Sequence, residues 1–67
     1  MKNDPHFRVL DAYFWHFVDR GDAPQSTPLF TGTFEGESLS LVVANEFELP
    51  LHEAEYAIEI AKKEVAL

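Results

Sequence analysis

The sequence predicts an α+β fold ordered helix, β-hairpin, helix, with both helices packed on one face of a two-stranded antiparallel ribbon. Two observations carry that prediction. Apolar residues recur at three- and four-residue spacing in the first 20 and in the last 17 residues, the period of a helix with one buried side. Between them, two runs of alternating apolar and polar residues flank the dipeptide Glu35-Gly36, the pattern of strands joined by a tight turn. The 67 residues make one domain, read as a helix over about 5–20, a connector over 21–28, strands over about 29–34 and 38–47, and a helix over about 50–66.

The first helix opens at Asp4-Pro5, a good cap residue followed by a proline whose missing N–H is harmless at the first helical position. Gly21 closes it, as the residue that most easily takes the left-handed conformation at a helix end. On 100° spacing, Phe7, Val9, Leu10, Tyr13, Phe14, Phe17 and Val18 form one arc, the expected core face. Trp15 falls off that arc, beside Arg8, Asp11 and Asp19. It either covers a neighbouring loop or anchors a partner, since tryptophan is enriched at interface hot spots.

Asp22 to Pro28 is a connector, because three of its residues are small and polar and two prolines interrupt it. The hairpin register that pairs Phe34 with Glu37 sets Gly32 against Leu39 and Phe30 against Leu41. Phe30, Phe34, Leu39, Leu41 and Val43 then share the apolar face, and a one-residue slip scatters them. Pro50 opens the second helix. Glu53 and Glu55 come early and Lys62 and Lys63 late, which complements the helix dipole at both ends. Leu51, Ala54, Ile58, Ala61 and Val65 make its core stripe, while Tyr56, Ile60 and Leu67 make a second apolar stripe nearly opposite.

Composition narrows the function. With no cysteine, neither disulfides nor thiolate metal sites can support so small a core, which buries only about 60% of the unfolded surface. Nine aromatic residues (six Phe, two Tyr, one Trp) are nevertheless too many for a disordered acidic tail. The net charge of −7 opposes direct binding to nucleic acid or to anionic membranes. No segment approaches the ~20 apolar residues that span a bilayer, and Lys2 is not followed by an apolar leader. A soluble cytoplasmic protein is expected.

Chemistry is sparse. His6, His16 and His52 include no pair at i, i+4, so no metal site is expected. His16 and Asp19 lack a nucleophile beside them, and the isolated glycines cradle no phosphate. Carboxylates need a concave, dry pocket to work as acid and base, and one small core leaves little room for it. No enzymatic activity, catalytic residue or cofactor is expected.

What remains is charge distribution. Between Gly21 and Ala61 lie eight carboxylates and no lysine or arginine. Glu35 and Glu37 flank the hairpin turn, Glu46 and Glu48 point outward from Phe47 and Leu49, and Glu55 and Glu59 stand one turn apart on the second helix. Such a field attracts a basic surface. The expected function is therefore a small regulatory or inhibitory module whose face of Glu35, Glu37, Glu46, Glu48, Glu55 and Glu59 docks on a basic protein. One version imitates nucleic acid phosphates to occupy a nucleic-acid-binding protein. The alternative is a homodimer or accessory subunit assembled through Trp15 or through Tyr56, Ile60 and Leu67, with the charge serving solubility.

Overall fold

A computed structural model describes residues 4–66, and these form four helices and a two-stranded antiparallel sheet. Helix α1 runs through residues 5–19 in three stretches: α-helical at Pro5–Leu10, π-helical at Asp11–Trp15, and α-helical again at His16–Asp19. A single 3₁₀ turn at Pro24–Ser26 leads into the short helix α2, Pro28–Thr31. Strands β1 (Thr33–Phe34) and β2 (Glu37–Ser38) follow, then helix α3 (Leu39–Glu46) and helix α4 (Leu51–Ala66).

The α+β composition is as expected, but the middle of the chain is not a long hairpin. Residues 29–34 and 38–47 read as strands, yet pairing extends only over Thr33↔Ser38 and Phe34↔Glu37. One further bond, from the Leu39 N–H to the Gly32 carbonyl at 2.9 Å, keeps the same register before both sides turn helical. On the near side, Thr27-Pro28 is itself a helix start, and Gly32, with φ of 80°, is the stop four residues on. On the far side, Leu39 and Val43 are four apart, so one helical face buries both. A short apolar run satisfies period two and period 3.6 equally. A two-stranded ribbon is marginal in water, and the helix that buries Leu39 and Val43 prevails. Leu41, expected beside them, faces the opposite way.

Helix α1 differs more subtly. The π stretch adds a residue to the turn, which rotates residues before it by about 100° relative to those after it. Val9, Tyr13 and Phe14 are buried, Leu10 and Val18 pack partly against the core, and Phe17 meets the Phe34 ring edge-on at 6.1 Å. Phe7, predicted to line up with Phe14, is left exposed on the other side of the π stretch. The helix ends in a Schellman motif: Gly21 is left-handed (φ 97°), its N–H donates to the Val18 carbonyl at 2.9 Å, and the Asp22 N–H donates to Phe17 at 3.0 Å.

Helix α4 is the central support. Its buried face is Ala54, Ala57, Ile58 and Ala61, with Val65 partly covered. Leu51, expected in that stripe, is exposed in the first turn. The alanines let α1 approach closely along residues 5–10, and α3 packs alongside. His6 Nε2 lies 3.4 Å from Glu64 Oε2, so the start of α1 meets the end of α4 and the two helices run antiparallel. Leu29, Leu39 and Val43 complete the core from α2 and α3. Thr27 is fully buried, and its hydroxyl donates to the Pro24 carbonyl at 2.8 Å. The Cα positions span 31 × 29 × 16 Å, a flat body.

Candidate functional site

The six glutamates of the expected acidic face are all exposed, but they are not one continuous patch. Glu35, Glu37 and Glu46 gather around an open hollow of about 400 Å³ whose remaining lining is Phe34, Leu41, Val42 and Asn45. The hairpin tip forms one wall and the solvent side of α3 the other. Glu55 and Glu59 lie instead at a second, smaller depression with Ser38, Ser40 and Ile58. Glu48 stands apart, just beyond the end of α3. Successive strand residues point to opposite faces, so Glu37 and Ser38 direct these two groups to different sides of the ribbon.

Two of the six adopt backbone conformations that glutamate disfavours. Glu35 (φ 52°) and Gly36 (φ 84°) are the central residues of a turn with positive φ at both positions, the type I′ geometry that best suits Asn-Gly or Asp-Gly. Glu48 (φ 57°) is the left-handed residue that ends α3, where the Leu49 N–H donates to the Ala44 carbonyl at 2.9 Å. Gly21 fills that same role at the end of α1. Among the described residues only five have positive φ: the three glycines and these two glutamates. An L-residue in this region costs roughly 1–2 kcal/mol.

Charge segregation along the chain is only partly kept in space. Glu59 Oε2 lies 3.6 Å from Lys62 Nζ, an exposed i, i+3 pair. The Arg8 guanidinium sits 4.4 Å from the centroid of the Phe47 ring, which brings one base beside the stretch that holds Glu46 and Glu48. Among the described residues, none of Glu35, Glu37, Glu46, Glu48 or Glu55 has a cationic group within 4 Å. Beneath the hollow, Phe34 meets the buried Tyr13 ring edge-on at 5.3 Å, and Tyr13 meets Phe47 at 6.2 Å. Burial pushes the Tyr13 phenol above its ordinary value of 10.0, and the Glu46 carboxylate adds to the effect. Phe34, the one aromatic residue of the hollow's lining, is thus backed by a neutral phenol.

The hydrophobic candidates separate. Trp15 is 46% exposed, with its ring edge-on to Phe14 at 5.0 Å. Tyr56 is 67% exposed and Ile60 partly so, while Leu67 lies outside the described residues. A third groove, which shares Phe34 and Glu35 with the first hollow, is lined by His16, Phe17, Arg20, Asp22 and Thr31 among others. It mixes both signs of charge. Among the described residues no group of three or more histidines and carboxylates is gathered to hold a metal ion, and no helix is long and apolar enough to cross a membrane. Sequence reasoning missed Leu41 as a surface residue, because it was assigned to the apolar face of a strand. The helical spacing of Leu39 and Val43 was the available signal.

No family model, curated protein or solved structure matches this chain.

Proposed function

We propose that this protein is a small acidic binding module that docks Glu35, Glu37 and Glu46 on a basic surface of another protein, in a regulatory or inhibitory role. What carries the reading is the gathering of Glu35, Glu37 and Glu46 around one open hollow, with Glu35 held there in a left-handed conformation. A charge that only keeps a protein soluble can sit at any exposed position. Here Glu35 takes a left-handed conformation (φ 52°) where glycine or asparagine is cheaper, so its carboxylate stands beside the hollow at a conformational cost. The absence of cationic partners for five of the six glutamates, among the described residues, leaves their acceptor capacity for a ligand. Imitation of nucleic acid phosphates is the narrower version of this reading.

The test is charge reversal at two exposed sites. Glu37→Lys with Glu46→Lys leaves the core intact, so circular dichroism and the melting curve stay close to the parent. A partner captured from the protein's own cells and eluted by moderate salt loses affinity by roughly tenfold or more, mainly through slower association. Undiminished capture by the reversed variant at low salt ends the acidic-docking reading.

A second reading rests on Tyr56, among the described residues the most exposed large apolar side chain, with Ile60 one turn away. A symmetric homodimer through this side of α4 predicts that Ile60→Asp halves the mass measured by light scattering. An unchanged mass removes this face as an interface.

A further inference from the structure

We infer, resting on the homodimer reading above, that α4 pairs with α4 of a second copy of this chain in antiparallel register. Glu53 of each helix meets Lys63 of the other, and Tyr56 of each meets Ile60 of the other.

Glu53, Tyr56, Ile60 and Lys63 follow one another at spacings of three, four and three. Those are successive a and d positions of a heptad repeat, which lie along one stripe of a helix. The stripe is on the side of α4 away from the buried Ala54, Ile58 and Ala61. Tyr56 is 67% exposed, Glu53 and Lys63 are exposed, and Ile60 is partly so.

The order of these four residues is symmetric about Ile58. Glu53 and Tyr56 precede it by five and two residues, and Ile60 and Lys63 follow it by two and five. A two-fold contact is self-complementary: when one residue meets a second, the second also meets the first. Two α4 helices laid antiparallel about Ile58 therefore match apolar with apolar at the centre and acid with base at both ends. The same helices laid parallel set Glu53 against Glu53 and Lys63 against Lys63, which is repulsive.

The end charges are available for this. Among the described residues Lys63 has no carboxylate within 4 Å, and Glu53 has only the ring of its neighbour His52, at 3.9 Å. Glu59, which flanks the centre of the stripe, lies 3.6 Å from Lys62 of its own helix, and this offsets its repulsion of the same residue on the second copy. One helix face per chain is small against the roughly 1,000 Å² that a stable interface buries, and a net charge of −7 on each copy opposes association. The dimer is therefore weak, and the end pairs decide whether it forms.

Sedimentation equilibrium up to about 1 mM protein measures the dissociation constant, with circular dichroism on each variant to follow the fold. The parent is expected to dimerise. Glu53→Lys and Lys63→Glu each turn both end pairs into like-charge contacts and weaken the dimer roughly tenfold. Glu53→Lys does so although it removes two negative charges from the net, which by bulk charge alone favours association. The double variant Glu53→Lys with Lys63→Glu restores both pairs and returns the affinity to within about twofold of the parent. Glu53 is in the first turn of α4 and Lys63 in the last, so each change also opposes the helix dipole. That effect accumulates in the double variant, whereas the register effect cancels. A double variant weaker than either single overturns the register. A dimer lost in Tyr56→Ser but indifferent to both charge changes overturns the register and leaves the homodimer standing. A parent that stays monomeric, or a dimer that Tyr56→Ser leaves intact, overturns both.

Discussion

Replacing Leu29 by alanine is expected to cost about 2–5 kcal/mol, the range for deleting a fully buried leucine side chain. Leu29 has 0% exposure and is the largest fully buried side chain of a helix of only four residues, whose neighbours Thr27 and Pro28 are also buried. A chain of this length has a total stability on the order of 3–10 kcal/mol. Much of the population is therefore unfolded in the variant, and the urea midpoint seen by circular dichroism falls sharply. Leu51→Ala, exposed in the first turn of α4, serves as the comparison and shifts the midpoint far less. The pair also separates two structures of the middle segment. A strand over 29–34 with Phe30 and Phe34 inward turns Leu29 toward the polar side, where its truncation costs little. Equal effects of Leu29→Ala and Leu51→Ala therefore contradict a seated α2.

The second large effect has the opposite sign. Glu35→Asn combined with Glu48→Gly places favoured residues at both left-handed positions, and the two sites are distinct enough to add. The gain is about 1–2 kcal/mol in total, or roughly 5–10 °C in melting temperature for a domain of this size. The same double variant removes two carboxylates and weakens the basic partner. A more stable protein that binds less well is the signature of a site retained at a cost to the fold. If melting is unchanged, the two glutamates carry no strain. If stability rises and binding is untouched, their charges are incidental.

These two experiments touch the places where pattern and structure part. The ends of the molecule were legible. Pro5 and Gly21 bound α1, and the four- and three-residue spacing of Ala54, Ile58 and Ala61 identifies the buried side of α4. The turn at Glu35-Gly36 and the pairing of Phe34 with Glu37 were also readable, because a two-residue loop fixes register. Leu39, Leu41 and Val43 were not, since they alternate like a strand while Leu39 and Val43 also repeat like a helix. The π stretch left no composition signal, although adjacent buried aromatics at Tyr13 and Phe14 are what it makes room for. The glutamates were visible as charges. Their division between two sides of the ribbon was not, because it depends on where α3 begins.

The antiparallel contact of α1 with α4 sets an order of events during synthesis. Helix α1 is made early, yet the alanines that match it arrive only after the connector, hairpin and α3 have been added. Closing a loop of that span costs roughly 3–4 kcal/mol in chain entropy before any contact between the two helices is gained. Until then the Pro5–Leu10 stretch, with Val9 on its buried face, has no partner from α4, the exposed state in which chains associate with one another. The hairpin and α3, by contrast, are local and can form at once.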